Sequence, residues 1–149
     1  MKGYKKILVP LDGSEISEAI LPEIEKLAST FGSSICLLYI VPLAIIPGSM
    51  EPIANYQTIT EALMNEGEKY LRKIESRLKD KGLAVERHVQ QGNEAQQILE
   101  RCEQEDIDLI AMSTHGRSGV RRWLLGSVAE KVIRHATKPI LLIRSAKDS

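Results

Sequence analysis

Short apolar runs alternate along this chain with longer segments whose apolar residues recur at helical spacing. A strand buried on both faces of a sheet reads as a near-continuous apolar run, whereas an amphipathic helix repeats apolar residues three and four positions apart. The runs that predict strands cover 7–11, 34–41, 84–89, 109–112 and 140–143. Five strands alternating with four helices predict an α/β fold with a doubly wound five-stranded parallel sheet and helices on both faces.

Capping residues indicate where the predicted helices begin and end. Ser14 is a candidate cap for the first helix, and Gly32 supplies its stop. Asn93, with Gln96 three residues later, has the spacing of a variant capping box at the start of the third helix. The fourth helix is expected to begin with Ser127 as its cap.

The length of 149 residues fits one domain over 1–149, because a chain of this size can bury a single sufficient core. Residues 42–57 contain three prolines together with Gly48 and Asn55 and show no periodicity. Long loops in compact domains are usually functional or mobile, so a long mobile loop is expected there. The run 84–89 alternates more than the others, which favours a position nearer an edge of the sheet.

Charge and cysteine content exclude several classes of function. Lys and Arg total 20 and Asp and Glu total 20, so the net charge is zero and no nucleic-acid partner is expected. No apolar stretch reaches the roughly 18 residues of a membrane span, so no membrane partner is expected. Cys36 and Cys102 have neither the spacing of a metal site nor the density of a disulfide scaffold, which favours a cytoplasmic location.

A glycine-containing loop follows the fourth predicted strand. From 109 to 127 an apolar strand leads into the pattern Ser113-x2-Gly116-x9-Gly126-Ser127 and then into a helix. Glycine lets a ligand approach the backbone, and the start of a helix presents unpaired N–H groups and a positive dipole end. Ligands of open parallel sheets bind past the carboxyl ends of the strands, where strand order reverses. The pattern therefore predicts a phosphate site at this edge of the sheet.

Together with "ILVPLDGSE" at 7–15 and "LLGSVAEKVIRHATKPILLI" at 124–143, this loop resembles the universal stress protein family over essentially the whole chain. The nucleotide-binding branch of that family carries Gly-x2-Gly-x9-Gly-Ser/Thr, which holds the phosphates of ATP. The resemblance implies a Rossmann-like, adenine nucleotide alpha hydrolase-like fold and a small ATP-binding regulatory protein. It also implies a homodimer through the C-terminal strand and a protein partner that the sequence does not identify.

Ser113 is a departure from that family pattern, because the family has glycine at this position. A Cβ and hydroxyl there could crowd the ribose or phosphate, or could donate a hydrogen bond to them. The expected ligand is ATP, or AMP or ADP, with Mg²⁺. The predicted binding residues are Pro10, Leu11, Asp12, Ile40, Met112, Ser113, His115, Gly116, Arg117, Gly119, Gly126, Ser127 and Val128.

Each predicted role has a plainer structural alternative. Asp12 would accept from the ribose hydroxyls, or it is a solvated turn residue. An adenine wall would be formed by Pro10, Leu11, Ile40 and Met112, or these residues are plain core. Ser127 would offer its hydroxyl and N–H to phosphate, or it is an ordinary cap. Arg117 would neutralise phosphate, or it lies on a solvated loop face. No nucleophile or carboxylate is clearly paired with His115, so no catalytic residue is assigned, and no residue is assigned to a metal.

Three functions are compatible with these residues. The first is an ATP-binding regulator with little or no turnover. The second is a slow ATP hydrolase, although the loop shows no second carboxylate for a metal and no evident base. The third is a nucleotide-free dimeric interaction scaffold, which Ser113 favours. A receiver-like phosphoacceptor is excluded because the fourth strand ends in Met112-Ser113 rather than in an aspartate.

Overall fold

The computed structural model describes residues 3–43, 56–116 and 125–144. Within these ranges the strands are β1 (Lys6–Leu11), β2 (Ser34–Val41), β3 (Ala84–Gln91), β4 (Leu109–Ser113) and β5 (Ile140–Ile143). The helices are α1 (Leu21–Phe31), α2 (Tyr56–Asp80), α3 (Glu94–Gln104) and α4 (Ser127–His135), and a 3₁₀ turn (Ser17–Ile20) leads into α1. None of the described helices combines the length and the apolar content needed to cross a membrane.

All strands of the sheet run parallel in the order β3-β2-β1-β4-β5. The chain builds outward from β1 to β3 and then returns to the other side of β1, so strand order reverses between β1 and β4. The predicted doubly wound α/β fold is confirmed, and β3 does lie at an edge. The reversal opens a crevice beyond the carboxyl ends of β1 and β4, which is where such folds hold ligands.

The sheet is covered on both faces, which explains why its central strands read as continuous apolar runs. Alternate residues of each strand point to opposite faces. One face packs on α1 and α2 and includes Ile7, Val9, Leu37, Ile24 and Leu71. The other packs on α3 and α4 and includes Leu8, Leu38, Ile110, Ile98 and Val132. Full burial of each large aliphatic side chain contributes about 1.5–3 kcal/mol to the free energy of unfolding.

Several predicted boundaries differ from the structure, and β1, β3 and β4 are each longer than predicted, by one or two residues. The predicted loop 42–57 falls largely on 44–55, outside the described residues, and Tyr56 already begins α2. The N-cap of α4 is Gly126, so the prediction of Ser127 was wrong by one position and Ser127 is the first helical residue. Ser14 does accept the Ser17 N–H at 3.1 Å, but the turn it supports is 3₁₀ and α1 follows later.

The predicted capping box of α3 is half confirmed. Asn93 Oδ1 accepts the Gln96 N–H at 3.0 Å, as the pattern predicts. The side chain of Gln96 donates instead to Glu100 Oε1, one turn further along the helix, at 3.0 Å. An i,i+4 pair on the helix surface therefore replaces the reciprocal bond to the cap.

Candidate functional site

A cleft of about 510 Å³ lies at the carboxyl ends of the strands, between the loop after β1 and the start of α4. This volume falls within the range of small-molecule sites, roughly 300–1,000 Å³. The predicted site residues that line it are Pro10, Leu11, Asp12, Ile40, Met112, Ser113, His115, Gly116, Gly126, Ser127 and Val128. Arg117 and Gly119 lie outside the described residues. Every described member of the predicted set thus meets in one cleft.

Strand pairing explains this convergence. β1 and β4 are parallel neighbours, so the residues that follow Leu11 and Ser113 leave the sheet at the same edge. The two described ends of the loop after β4 are tied to each other, because the Gly126 N–H donates to the Thr114 carbonyl at 2.8 Å. This bond places the first turn of α4 beside the end of β4.

Asp12 is oriented by the turn that follows β1. Its Oδ1 accepts from the Ser14 N–H at 2.9 Å and from the Ser14 hydroxyl at 2.6 Å. Its own N–H donates to Ser17 Oγ at 3.3 Å. Side chains of this kind commonly bond their own backbone two residues on and so build the turn themselves. The carboxylate is therefore held in one orientation by the turn rather than solvated freely.

Both described glycines of the loop are required by close packing. A Cβ on Gly116 would collide with Asp12 Oδ2. A Cβ on Gly126 would lie 3.0 Å from the Thr114 carbonyl oxygen and 3.4 Å from His115 Cα. Glycine is thus needed at 116 to let the loop after β4 lie against the carboxylate that follows β1. Because these two positions have no side chain, the two loops can approach each other, and backbone atoms form this part of the cleft surface.

Ser113 is engaged with the protein's own backbone. It is 5% exposed, and its hydroxyl lies 2.7 Å from the Ile16 carbonyl and 3.1 Å from the Ser17 carbonyl. A hydroxyl has one proton to donate, and Ser113 donates it to backbone carbonyls at the start of the 3₁₀ turn. The serine therefore ties the end of β4 to the turn before α1.

The apolar part of the cleft consists of residues that also belong to the core. Leu11 packs in the core on the α1 and α2 face, whereas Ile40 and Met112 pack in the core on the opposite face. Ile40 and Met112 are 8% and 7% exposed. Each of these side chains is therefore a core residue with one surface on the cleft.

The polar part of the cleft includes residues that sequence reasoning missed. Ser17, Thr114 and Glu94 line it alongside the predicted set. His115 is 5% exposed, and its Nδ1 lies 3.1 Å from Thr114 Oγ1. Glu94, the first residue of α3, places a carboxylate at the cleft, in the connection that follows β3. Glu94 could have been predicted as a site residue, because it directly follows the cap residue Asn93 at the carboxyl end of β3.

The start of α4 contributes backbone donors to the cleft. Ser127, Val128 and Ala129 are the first helical residues and all line the cleft. The N–H groups of a first helical turn have no partner within the helix. Within the part of the chain that the structure describes, α4 has no side-chain cap. This arrangement can accept an anionic group at the helix start.

Known proteins are similar to this chain in sequence and in fold. The model of the Universal stress protein family matches residues 3–144. Universal stress protein MJ0531 of Methanocaldococcus jannaschii is 33% identical, over 97% of this chain and 84% of its own length. The solved structure of MJ0577 from the same organism is 28% identical, with a TM-score of 0.85 over 97% of this chain and 98% of that one. A universal stress protein in complex with cAMP is 20% identical and shares the fold, with a TM-score of 0.68 over 97% of this chain and 100% of that one.

Proposed function

The chain belongs to the universal stress protein family, and we propose that it is a regulatory protein that binds an adenine nucleotide in the cleft described above, with little or no turnover. ATP is the favoured ligand, with AMP or ADP as smaller alternatives. The observation that carries the proposal is the contact of the Asp12 carboxylate with Gly116 beside the start of α4. It brings an acceptor for hydroxyls and donors for phosphate into one cleft.

The apolar surfaces of the cleft would hold the adenine ring. Ile40 and Met112 come from β2 and β4, the two neighbours of β1, and Val128 comes from the first turn of α4. A flat aromatic base gains by burying its apolar faces against such side chains. Since these residues are also core, the wall is formed before a ligand arrives.

The polar groups would hold the ribose and the phosphates. Asp12, fixed by Ser14, would accept from ribose hydroxyls. The first N–H groups of α4 and the hydroxyl of Ser127 would bind phosphate oxygens, helped by the positive end of the helix dipole. Mg²⁺ would enter with the phosphates, since this ion is usually bound through phosphate oxygens, water and one or two carboxylates. Arg117 and Gly119 remain predicted members of this site.

The MJ0577 and cAMP structures support the proposal to different degrees. MJ0577 shares 28% identity and nearly full coverage, so its likeness extends to sequence as well as fold. The universal stress protein solved with cAMP holds an adenine nucleotide on this fold, but at 20% identity the likeness bears on the fold alone. The case for nucleotide binding here therefore rests on this chain's own residues.

A homodimer through β5, which a protein partner then recognises, completes the proposal for the single domain 1–149. Within the described residues β5 pairs with β4 only. The carbonyls of Pro139 and Ile143 accept from Ile110 and Thr114, each at 3.0 Å. Because successive residues of a strand alternate in direction, the amides of Ile140 and Leu142 face the free edge of the sheet. A free edge of this kind is a template for a second copy.

One observation favours a second candidate, a nucleotide-free dimeric scaffold. The Ser113 hydroxyl is committed to the turn before α1, where the family's nucleotide-binding branch has no side chain at all. In a protein that functions only as a dimeric scaffold, this hydrogen bond would stabilise the fold, and no nucleotide affinity would be sacrificed. Nucleotide binding and dimerisation must therefore be measured separately.

Calorimetric titration of the full chain with Mg-ATP tests the proposal. The native protein is expected to bind one nucleotide per chain, and Gly126→Val to lose binding because the added side chain enters the Thr114–His115 backbone. Gly32→Ala is the control for loss of a glycine outside the cleft, since Gly32 lies after α1, where its φ is 69°. Absence of heat with native protein, with the dimer intact, would support the scaffold instead.

A further inference from the structure

A second cluster of polar side chains lies on the sheet away from the cleft. Cys36 and Glu86 face each other in the register of β2 and β3, and His88 follows two residues along β3. Glu105, the residue directly after α3, reaches the same place. Cys36 and Glu86 are the third residues of β2 and β3, His88 lies mid-way along β3, and the cleft lies at the carboxyl ends of the strands. The cluster is therefore separate from the proposed nucleotide site.

The four side chains present one candidate ligand atom each, and these atoms lie within 4.8 Å of one another. His88 Nε2 is 3.8 Å from Glu86 Oε2 and 3.7 Å from Glu105 Oε1, and Cys36 Sγ is 3.9 Å from Glu105 Oε2. Metal–ligand bonds of about 2.0–2.3 Å in a tetrahedron put neighbouring ligand atoms about 3.3–3.8 Å apart. The longest separation, up to 4.8 Å, would have to shorten by about 1 Å to reach that geometry, which side-chain rotation of the two glutamates can supply.

His88 provides an independent indication of a ligand site at the cluster. Its Nε2 atom is buried and makes no hydrogen bond to any described residue. A buried ring nitrogen left without such a bond is uncommon and costs free energy. A metal ion at the centre of the cluster would give this nitrogen a ligand bond. The Cys36 side chain is fully buried beside it, which suits a soft ligand shielded from solvent.

Lys6 and Arg101 neutralise the carboxylates in the metal-free protein. Lys6 Nζ lies 2.6 Å from Glu86 Oε1 and 2.7 Å from Glu105 Oε2, and Arg101 Nη1 lies 2.9 Å from Glu105 Oε1. The hydrogen bond from Lys6 is the main cause that lowers the pKa of Glu105 to about 2. Lys6 is flexible and a quarter exposed, so a divalent ion could displace its ammonium toward solvent.

We propose that Cys36, Glu86, His88 and Glu105 form a binding site for a divalent transition metal of the zinc type. Thiolate and imidazole ligands select zinc and its neighbours over magnesium or calcium, which prefer oxygen. The ion would join β2, β3 and the end of α3. Binding sends the thiol proton of Cys36 to solvent and replaces the Lys6 ammonium. The exposed side of the edge strand β3 gives the ion access.

Titration of the full chain with Co²⁺, under reducing conditions and without nucleotide, tests this site. Cobalt bound by a thiolate shows a sulfur-to-metal charge-transfer band, which carboxylates alone do not produce. Native protein is expected to show the band at one equivalent, and Cys36→Ser to lose it. Cys102→Ser is the matched control, because Cys102 is also a free, buried cysteine but lies outside the cluster. This variant should keep the band.

Two further variants separate a metal site from a purely ionic cluster. His88→Gln should weaken Co²⁺ binding at least about tenfold, since even residues behind the ligands typically contribute that much. Lys6→Met should tighten Co²⁺ binding, because it removes the competing ammonium. Thermal unfolding of each variant confirms that it folds. Absence of the band in native protein, or its persistence in Cys36→Ser, would overturn the proposal.

Discussion

The carboxylate of Asp12 lies directly against Gly116, although the two residues are 104 positions apart in the chain of 149. A β-carbon on residue 116 would overlap Asp12 Oδ2, so the carboxylate could not keep its present position. The contact joins the two strand ends at which the order of the sheet reverses. The orientation of the Asp12 carboxylate therefore depends on the absence of a side chain at position 116.

Gly116→Ala is expected to displace Asp12 and weaken nucleotide binding. Loss of a hydrogen bond to a charged group costs about 1.5–3 kcal/mol, which corresponds to roughly a 10- to 100-fold higher Kd for Mg-ATP. Calorimetric titration measures this change, with Gly32→Ala as the control for glycine loss outside the cleft. Equal Kd values for native protein and Gly116→Ala would show that the Asp12 contact is irrelevant to binding.

Ser113→Ala is expected to lower stability but to leave the Kd for Mg-ATP within about twofold. The lost hydrogen bond to the Ile16 carbonyl should cost about 1 kcal/mol. For a domain of this size that is a fall in Tm of roughly 2–4 °C. Differential scanning calorimetry and ligand titration measure the two quantities.

Ser33→Ala is the matched control for Ser113→Ala, since Ser33 is buried and its hydroxyl donates to the Tyr4 carbonyl, outside the cleft. Both variants should lose similar stability and neither should lose affinity. A marked loss of affinity in Ser113→Ala alone would show that the hydroxyl serves the ligand.

Leu142→Pro is expected to convert a homodimer into monomers. Proline removes an N–H from the free edge of β5 while the bonds that Pro139 and Ile143 accept from β4 remain. Light scattering at micromolar concentration measures the change. Leu142→Ala keeps the N–H and should remain dimeric. A monomeric native protein, or a dimeric Leu142→Pro, would contradict pairing through this edge.

Gly67→Ala is expected to destabilise the protein, although alanine is the better helix former by about 1 kcal/mol. Gly67 lies within α2, and a Cβ there would sit 2.6 Å from Tyr39 Cδ1 and 3.2 Å from Val89 Cγ1. Overpacking of this kind costs about 1–3 kcal/mol. Denaturant unfolding measures the free energy, and exposed Asn65→Ala in the same helix should be neutral or stabilising. A more stable Gly67→Ala would mean that the helix shifts freely.

Strand boundaries were predictable where a buried apolar run is bounded by glycine or proline. β2 and β5 begin and end as predicted, because Gly32 and Pro42 flank one and Pro139 precedes the other. The error at Ser127 is also local. Gly126 takes the extended cap conformation and leaves Ser127 inside the helix, a choice that depends on the bond from Gly126 to Thr114. Sequence spacing does not contain that bond.

The site was predictable as a set of residues but not as a set of contacts. Residues that end neighbouring parallel strands must meet, so the described members of the predicted set share one cleft. The partner of the Ser113 hydroxyl is 97 positions away in the chain, and only packing decides between it and a ligand. The cluster around Cys36 was missed for the same reason, since its members come from β2, β3 and the end of α3 and have no sequence motif.

A crystal structure of the full chain grown with Mg-ATP tests the central claim most directly. We expect the adenine between Ile40 and Met112, the ribose at Asp12 and the phosphates at the first turn of α4. Gly116 and the Asp12 carboxylate should remain in contact, and Ser113 should keep its bond to Ile16. A cleft without nucleotide at saturating ATP, or ATP bound elsewhere on the chain, would contradict the account.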